Sequence, residues 1–184
     1  MKLKTVLTAA ALCVVAATAS AHQGPSAGPR MDQGPYVLVD VGHSQQSGMA
    51  SAVDEKTSTG LTFGVQLDRT WAVESSLKSF GSRVVAADGS TGRWDAVSVA
   101  AVARTPLSRD LDLLGKVGVS RSSISARVGG LDAGVSGTGF VVGAALDYKL
   151  DRNWTLRAAY EVMPDFAGTN EPLHNVSVGM KYRF

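Results

Sequence analysis

The stretch GTGFVVGAALDYKLDRNWTLRAAYEV, residues 137–162, decides the fold. Phe140, Val142, Ala144, Leu146 and Tyr148 fall on every second position, with Gly139, Gly143, Asp147 and Lys149 between them. After the polar run Asp151-Arg152-Asn153 the alternation resumes: Trp154, Leu156, Tyr160 and Val162 share one parity, and Thr155, Arg157 and Glu161 the other. A period of two belongs to a β-strand with one greasy face, whereas a helix repeats every three or four residues.

The same period runs to the end of the chain, where Val176, Val178, Met180, Tyr182 and Phe184 alternate with Asn175, Ser177, Gly179, Lys181 and Arg183. Extended upstream, the pattern predicts eight strands, at 35–43, 59–67, 71–80, 93–104, 110–120, 137–150, 154–162 and 173–184. The fourth is the least defined, because DAVSVAAVA is apolar on both parities. The gaps are 15, 3, 12, 5, 16, 3 and 10 residues long, so short and long connections alternate. All short turns then lie at one end. Short periplasmic turns with long extracellular loops are the layout of an up-and-down outer-membrane barrel. Two short connections echo each other: Leu67-Asp68-Arg69-Thr70-Trp71 and Leu150-Asp151-Arg152-Asn153-Trp154. Asp and Asn suit such turns because their short side chains bond the local backbone.

The first 21 residues read as a secretory leader, with Lys2 and Lys4 ahead of an apolar run and Ala19-Ser20-Ala21 as the small-residue cleavage pattern. Residues 22–34, His22 among them, read as a flexible periplasmic lead-in rich in Gly, Pro and polar residues, and 35–184 as the barrel. The single cysteine, Cys13, would leave with the leader, which argues against disulfides, zinc–thiolate sites and a cysteine nucleophile. Without Lys2 and Lys4 the 18 basic residues become 16, equal to the 16 acidic ones, so the charge expected of a nucleic-acid binder is missing. Past the leader no apolar run reaches the roughly 18 residues of a membrane helix.

A soluble barrel and a membrane barrel share the alternation and differ in which face is inside. Asp40, Glu74, Lys78, Lys116, Asp147, Arg157, Glu161 and Lys181 share the polar parity, four acids and four bases. Placed in the narrow lumen of eight strands, they would form a charge network whose members neutralise one another. Trp71, Tyr148, Trp154, Tyr182 and Phe184 have the apolar parity and gather at the short-turn end, the position of an aromatic ring at one membrane interface. The fold class that follows is all-β, an eight-stranded antiparallel transmembrane barrel.

KVGVSRSS, GTGFVVGAALDYKLDRNWTLRAAYE and the terminal HNVSVGMKYRF resemble the OmpA-like transmembrane β-barrel family of Gram-negative bacteria, over about residues 35–184. The resemblance implies a location in the cell outer membrane with both termini periplasmic, contact with membrane lipid and lipopolysaccharide, and assembly by the barrel-assembly machinery. It makes Phe184, with Tyr182 and Val178, the assembly signal. The family's longer members carry a peptidoglycan-binding domain, for which this sequence has no counterpart. The function expected is structural or that of a narrow passive pore, porin-like, with no cofactor.

Some eight-stranded outer-membrane barrels modify lipid A, so His174 and Ser177 need weighing as base and nucleophile. Three residues apart on a strand, they point to opposite faces, and no catalytic or metal-binding residue is expected. His43 and His174 would approach each other if the first and last strands close the ring, yet two imidazoles without a third ligand make a poor metal site. The alternative function is a surface adhesin whose loops meet an unidentified host ligand. Lys56, Arg83, Arg121 and Arg127 stand in those loops against Asp54, Glu55, Asp88, Asp132, Asp165 and Glu171, so no basic patch emerges. Segments such as GGLDAGVSGTG read as mobile loops without large aromatic anchors.

Overall fold

A computed structural model describes residues 33–46, 56–84, 91–128, 131–168 and 171–184. The leader at 1–21, nearly all of the lead-in, and His22, Asp54, Glu55 and Asp88 lie outside them, as do the side chains of Lys56, Arg83, Arg127 and Asp132. The strands are β1 (Gly34–Gln46), β2 (Lys56–Gln66), β3 (Trp71–Val84), β4 (Thr91–Pro106), β5 (Leu111–Val128), β6 (Leu131–Lys149), β7 (Trp154–Met163) and β8 (Leu173–Arg183). Each pairs antiparallel with its neighbour in sequence, and β8 returns to β1, closing an eight-stranded barrel.

The alternation sets the two faces. Val39, Val41, Phe63, Val117, Phe140 and Val176 are among the apolar side chains exposed outside, while the opposite parity is buried inside. The ambiguous strand resolves the same way: Trp94, Ala96, Ser98, Ala100, Val102 and Arg104 of β4 point in. Between Trp94 and Val102 the inner residues, Ala96, Ser98 and Ala100, are small and leave room for the long charged chains of β3 and β5 beside them. Gly64 serves the same purpose under Tyr36, since a Cβ there would sit 2.1 Å from the ring carbon Cζ.

Three turns close the short-loop end, and they are built alike. Leu67, Leu107 and Leu150 each donate an N–H to the carbonyl four residues on, at 2.9, 2.8 and 3.0 Å. At the second turn position Asp68 and Asp151 accept two backbone N–H groups each, and Ser108 holds its turn in the same way. Leu107-Ser108-Arg109-Asp110-Leu111 is therefore a third copy of the repeated turn, concealed in sequence by Ser for Asp and Leu for Trp.

At the other end two expectations fail. The predicted strands 110–120 and 137–150 continue to Val128 and begin at Leu131, so most of GGLDAGVSGTG is strand, and Arg121 lies on β5 instead of in a loop. Glycine has low strand propensity and adds no side chain to the alternation, but its backbone still pairs, through to Val128 opposite Leu131. β3 likewise reaches Val84, with a bulge between Ser79 and Ser82 where Gly81 adopts φ 78°. Second, the segment after β7 does carry an aromatic anchor: Phe166 is fully buried.

Candidate functional site

The strands bring the inward charges to one level of the lumen. Arg157 of β7 lies 2.5 Å from Glu74 of β3 and grips Asp147 of β6 with two nitrogens, at 2.6 and 3.0 Å. Lys181 of β8 bonds the same Asp147. Lys116 of β5 reaches Glu161 of β7 at 2.8 Å and Glu74 at 3.4 Å. Lys78 of β3 bonds Glu161 and stands 3.5 Å from Asp40 of β1. All eight charges named from the sequence are thus joined in one chain of contacts, drawn from six of the eight strands.

Sequence reasoning missed the extensions of this chain. Tyr36 donates its hydroxyl to Glu74 at 2.8 Å, and its inward parity was available as a signal. Nearer the turns, Asp112 receives Lys149 at 3.2 Å and Arg104 at 3.6 Å. Thr62 donates to Ser76 at 2.9 Å, and Ser58 to Asn175 at 2.6 Å. Burial makes these pairings matter, because a buried charge stripped of its partner costs several kcal/mol. Between Asp40, Glu74, Lys78, Lys116, Arg157 and Glu161 there remains a cavity of about 20 Å³. That is room for about one water molecule.

Above and below this belt two apolar clusters pack in the lumen, beside buried polar groups such as Arg104 and Asp112 on one side and Ser58 and Asn175 on the other. Tyr36, Ala72, Val102 and Leu114 pack toward the turns, and Phe80, Trp94, Val141, Met163, Phe166 and Leu173 toward the long loops. Outside, Trp71, Tyr148 and Trp154 are half exposed at the rim of short turns. Trp154, Tyr182 and Phe184 pack there in series, the first pair tilted and the second edge-on, with ring centres 4.8 and 5.3 Å apart. Across the seam His43 faces Val176, and His174 faces Gln45. The Nδ1 of His174 lies 2.8 Å from the Tyr160 hydroxyl, and Ser177 points into the lumen, away from His174. No cluster of three or more His, Cys, Asp or Glu suited to a metal occurs among the described residues.

Residues 7–184 match the family described as outer membrane protein beta-barrel domain, which covers nearly the whole chain. The chain belongs to the outer-membrane β-barrel family. Its place is therefore the outer membrane, and the exposed apolar wall faces lipid. Among solved structures this outer-membrane barrel is similar to Neisserial surface protein A, with TM-score 0.68 and 17% identity over 82% of this chain and 97% of that one. It is also similar to Ail, the attachment invasion locus protein of Yersinia pestis, solved with the heparin analogue sucrose octasulfate (TM-score 0.64, 17% identity, 83% and 99% covered). A third is the N-terminal barrel domain of Pseudomonas aeruginosa OprF (TM-score 0.56, 15% identity, 80% and 97% covered). At these identities the likeness is one of fold. No curated protein sequence matches the chain.

Proposed function

We propose that this barrel is a structural element of the outer membrane whose lumen passes little or nothing. The observation that carries the reading is the ionic belt, which leaves about 20 Å³ at its centre. The test is conductance in planar bilayers. The wild-type barrel gives small or rare events, and Glu74→Ala or Lys116→Ala alters them by unpairing a neighbour. Steady wild-type conductance, indifferent to both substitutions, would mean a water-filled bore and an open pore.

Several finer assignments go with this reading. Residues 1–21 are the leader, 22–34 the lead-in and 35–184 the barrel domain, both termini face the periplasm, and no reaction is catalysed. The aromatics of the turn rim mark the inner interface, and lipopolysaccharide contacts the opposite one. Phe184, Tyr182 and Val178 are the signal for the assembly machinery. Phe184→Ser should leave secretion intact and lower the inserted fraction, and normal outer-membrane levels of that variant would remove the assignment.

A second reading, a surface adhesin, is favoured by the reach of β5 and β6, which outrun β7. It predicts that shortening their tip lowers attachment of whole cells to epithelial monolayers while leaving the amount of folded barrel unchanged.

A further inference from the structure

β7 ends at Met163, and its pairing with β6 ends at Val142 opposite Val162, so β6 continues toward its tip without β7 beside it. The chain does not leave the barrel there. Phe166 and Ala167 are fully buried, and the Phe166 ring meets Phe80 edge-on with centres 5.6 Å apart. The backbone of 165–168 lies flat across the inner face of β6, which two glycines leave bare. A Cβ at Gly137 would come within 2.4 Å of the Gly168 nitrogen, and one at Gly139 within 2.8 Å of the Asp165 carbonyl oxygen.

The buried side chains of Phe166 and Ala167 hold this segment in place. It joins no strand ladder. Ala167 donates its N–H to the Ser122 hydroxyl at 2.7 Å, and Phe166 donates to the Glu171 carbonyl at 3.2 Å. Ala167 and Gly168 both adopt left-handed backbone, with φ 58° and 76°, and for Ala this is strained. Burial of one phenyl ring thus holds down a backbone that resists its own conformation. Backbone strain of this kind persists only where packing enforces it, and it gathers at clamps and switch segments.

We propose that Pro164–Gly168 is a hinged cork, which swings out of the mouth as a unit and exposes the upper lumen down to the ionic belt. This goes beyond the reading of the barrel as a barely conducting structural element, and its test needs no ion to cross the belt. Ser120, on the inner face of β5 opposite Gly139, is 2% exposed and lies between cork and belt. Carrying Ser120→Cys in a Cys13→Ser background, the folded barrel in detergent is treated with a charged methanethiosulfonate reagent. The unaltered cork gives slow but measurable labelling. Phe166→Ala removes the anchor, and Gly137→Val fills the bed; each should speed labelling about tenfold or more while heat-modifiable mobility still reports a closed barrel. Ser122→Ala, which removes one hydrogen bond only, should give a smaller increase and covers the case in which either larger change prevents folding. Equal rates in all folded variants would overturn the proposal, and so would complete protection of Ser120→Cys beneath the unaltered cork.

Discussion

The middle of the lumen and its mouth are filled by opposite means. The belt is made of charges whose neighbours are dictated by strand register, each held by at least one ion of opposite sign. The mouth is filled mainly by hydrocarbon beside a few neutral polar groups, and its central residue, Phe166, belongs to no strand. Removing a member therefore has different consequences. In the belt the remaining partner is a buried charge with nowhere to go, whereas in the mouth the remaining space can partly collapse.

The largest effect should follow from Arg157→Ala, which strips Glu74 and Asp147 together and should cost about 3–5 kcal/mol by urea unfolding in lipid vesicles. A loss under about 1 kcal/mol, the range of exposed pairs, would mean that water enters and screens the belt, and the contrast with the mouth would disappear. Phe166→Ala comes next, at about 3 kcal/mol, the low end for such a truncation because the segment after β7 can resettle. Were it to exceed Arg157→Ala, the mouth would be the stiffer half. Thr62→Val, which breaks a neutral hydrogen bond to Ser76 at the level of the belt, should cost about 1 kcal/mol. That value separates the effect of charge from that of polarity, and a loss as large as that of Arg157→Ala would erase the distinction.

The smallest effect concerns the turn rim, outside both regions. Hydrogen bonds from the Trp71 and Thr70 N–H groups hold the Asp68 carboxyl below the ordinary carboxylate value, and those from Trp154 and Asn153 do so for Asp151. A lowered pKa in the folded state means stability that is present above the ordinary value, about 3.9, and lost as pH falls through the lowered one. The difference in unfolding midpoint between the parent and Asp68→Asn should accordingly be present at neutral pH and shrink below about pH 4. An identical difference at pH 7 and pH 2 would show that the turn depends on shape alone.

Why the belt was readable and the mouth was not follows from the same contrast. Asp40, Glu74, Asp147 and Glu161 announce themselves because a charge on one parity of an apolar strand has few places to be. Register then adds what one strand cannot disclose, such as Arg157 lying between Glu74 and Asp147. Phe166 carries no period, and its burial depends on Gly137 and Gly139, which are distant in sequence and give no sign of what lies against their bare face. The third turn was hidden for a simpler reason: Ser108 does the work of Asp68 with a different side chain. Of the two rim histidines, His174 found Tyr160 on its other side, a partner visible only once β7 and β8 were paired.

The three matching turns also bear on the order in which the ring can form. Each joins strands adjacent in sequence, so the hairpins β2–β3, β4–β5 and β6–β7 close over short loops at little entropic cost. The seam is the reverse: it brings Tyr36 against Arg183, nearly the full length of the barrel apart. Until that last pairing is made, the sheet has two raw edges, β1 and β8, each able to template another copy. A chain that inserts without aggregating must therefore keep β8 occupied until β1 arrives.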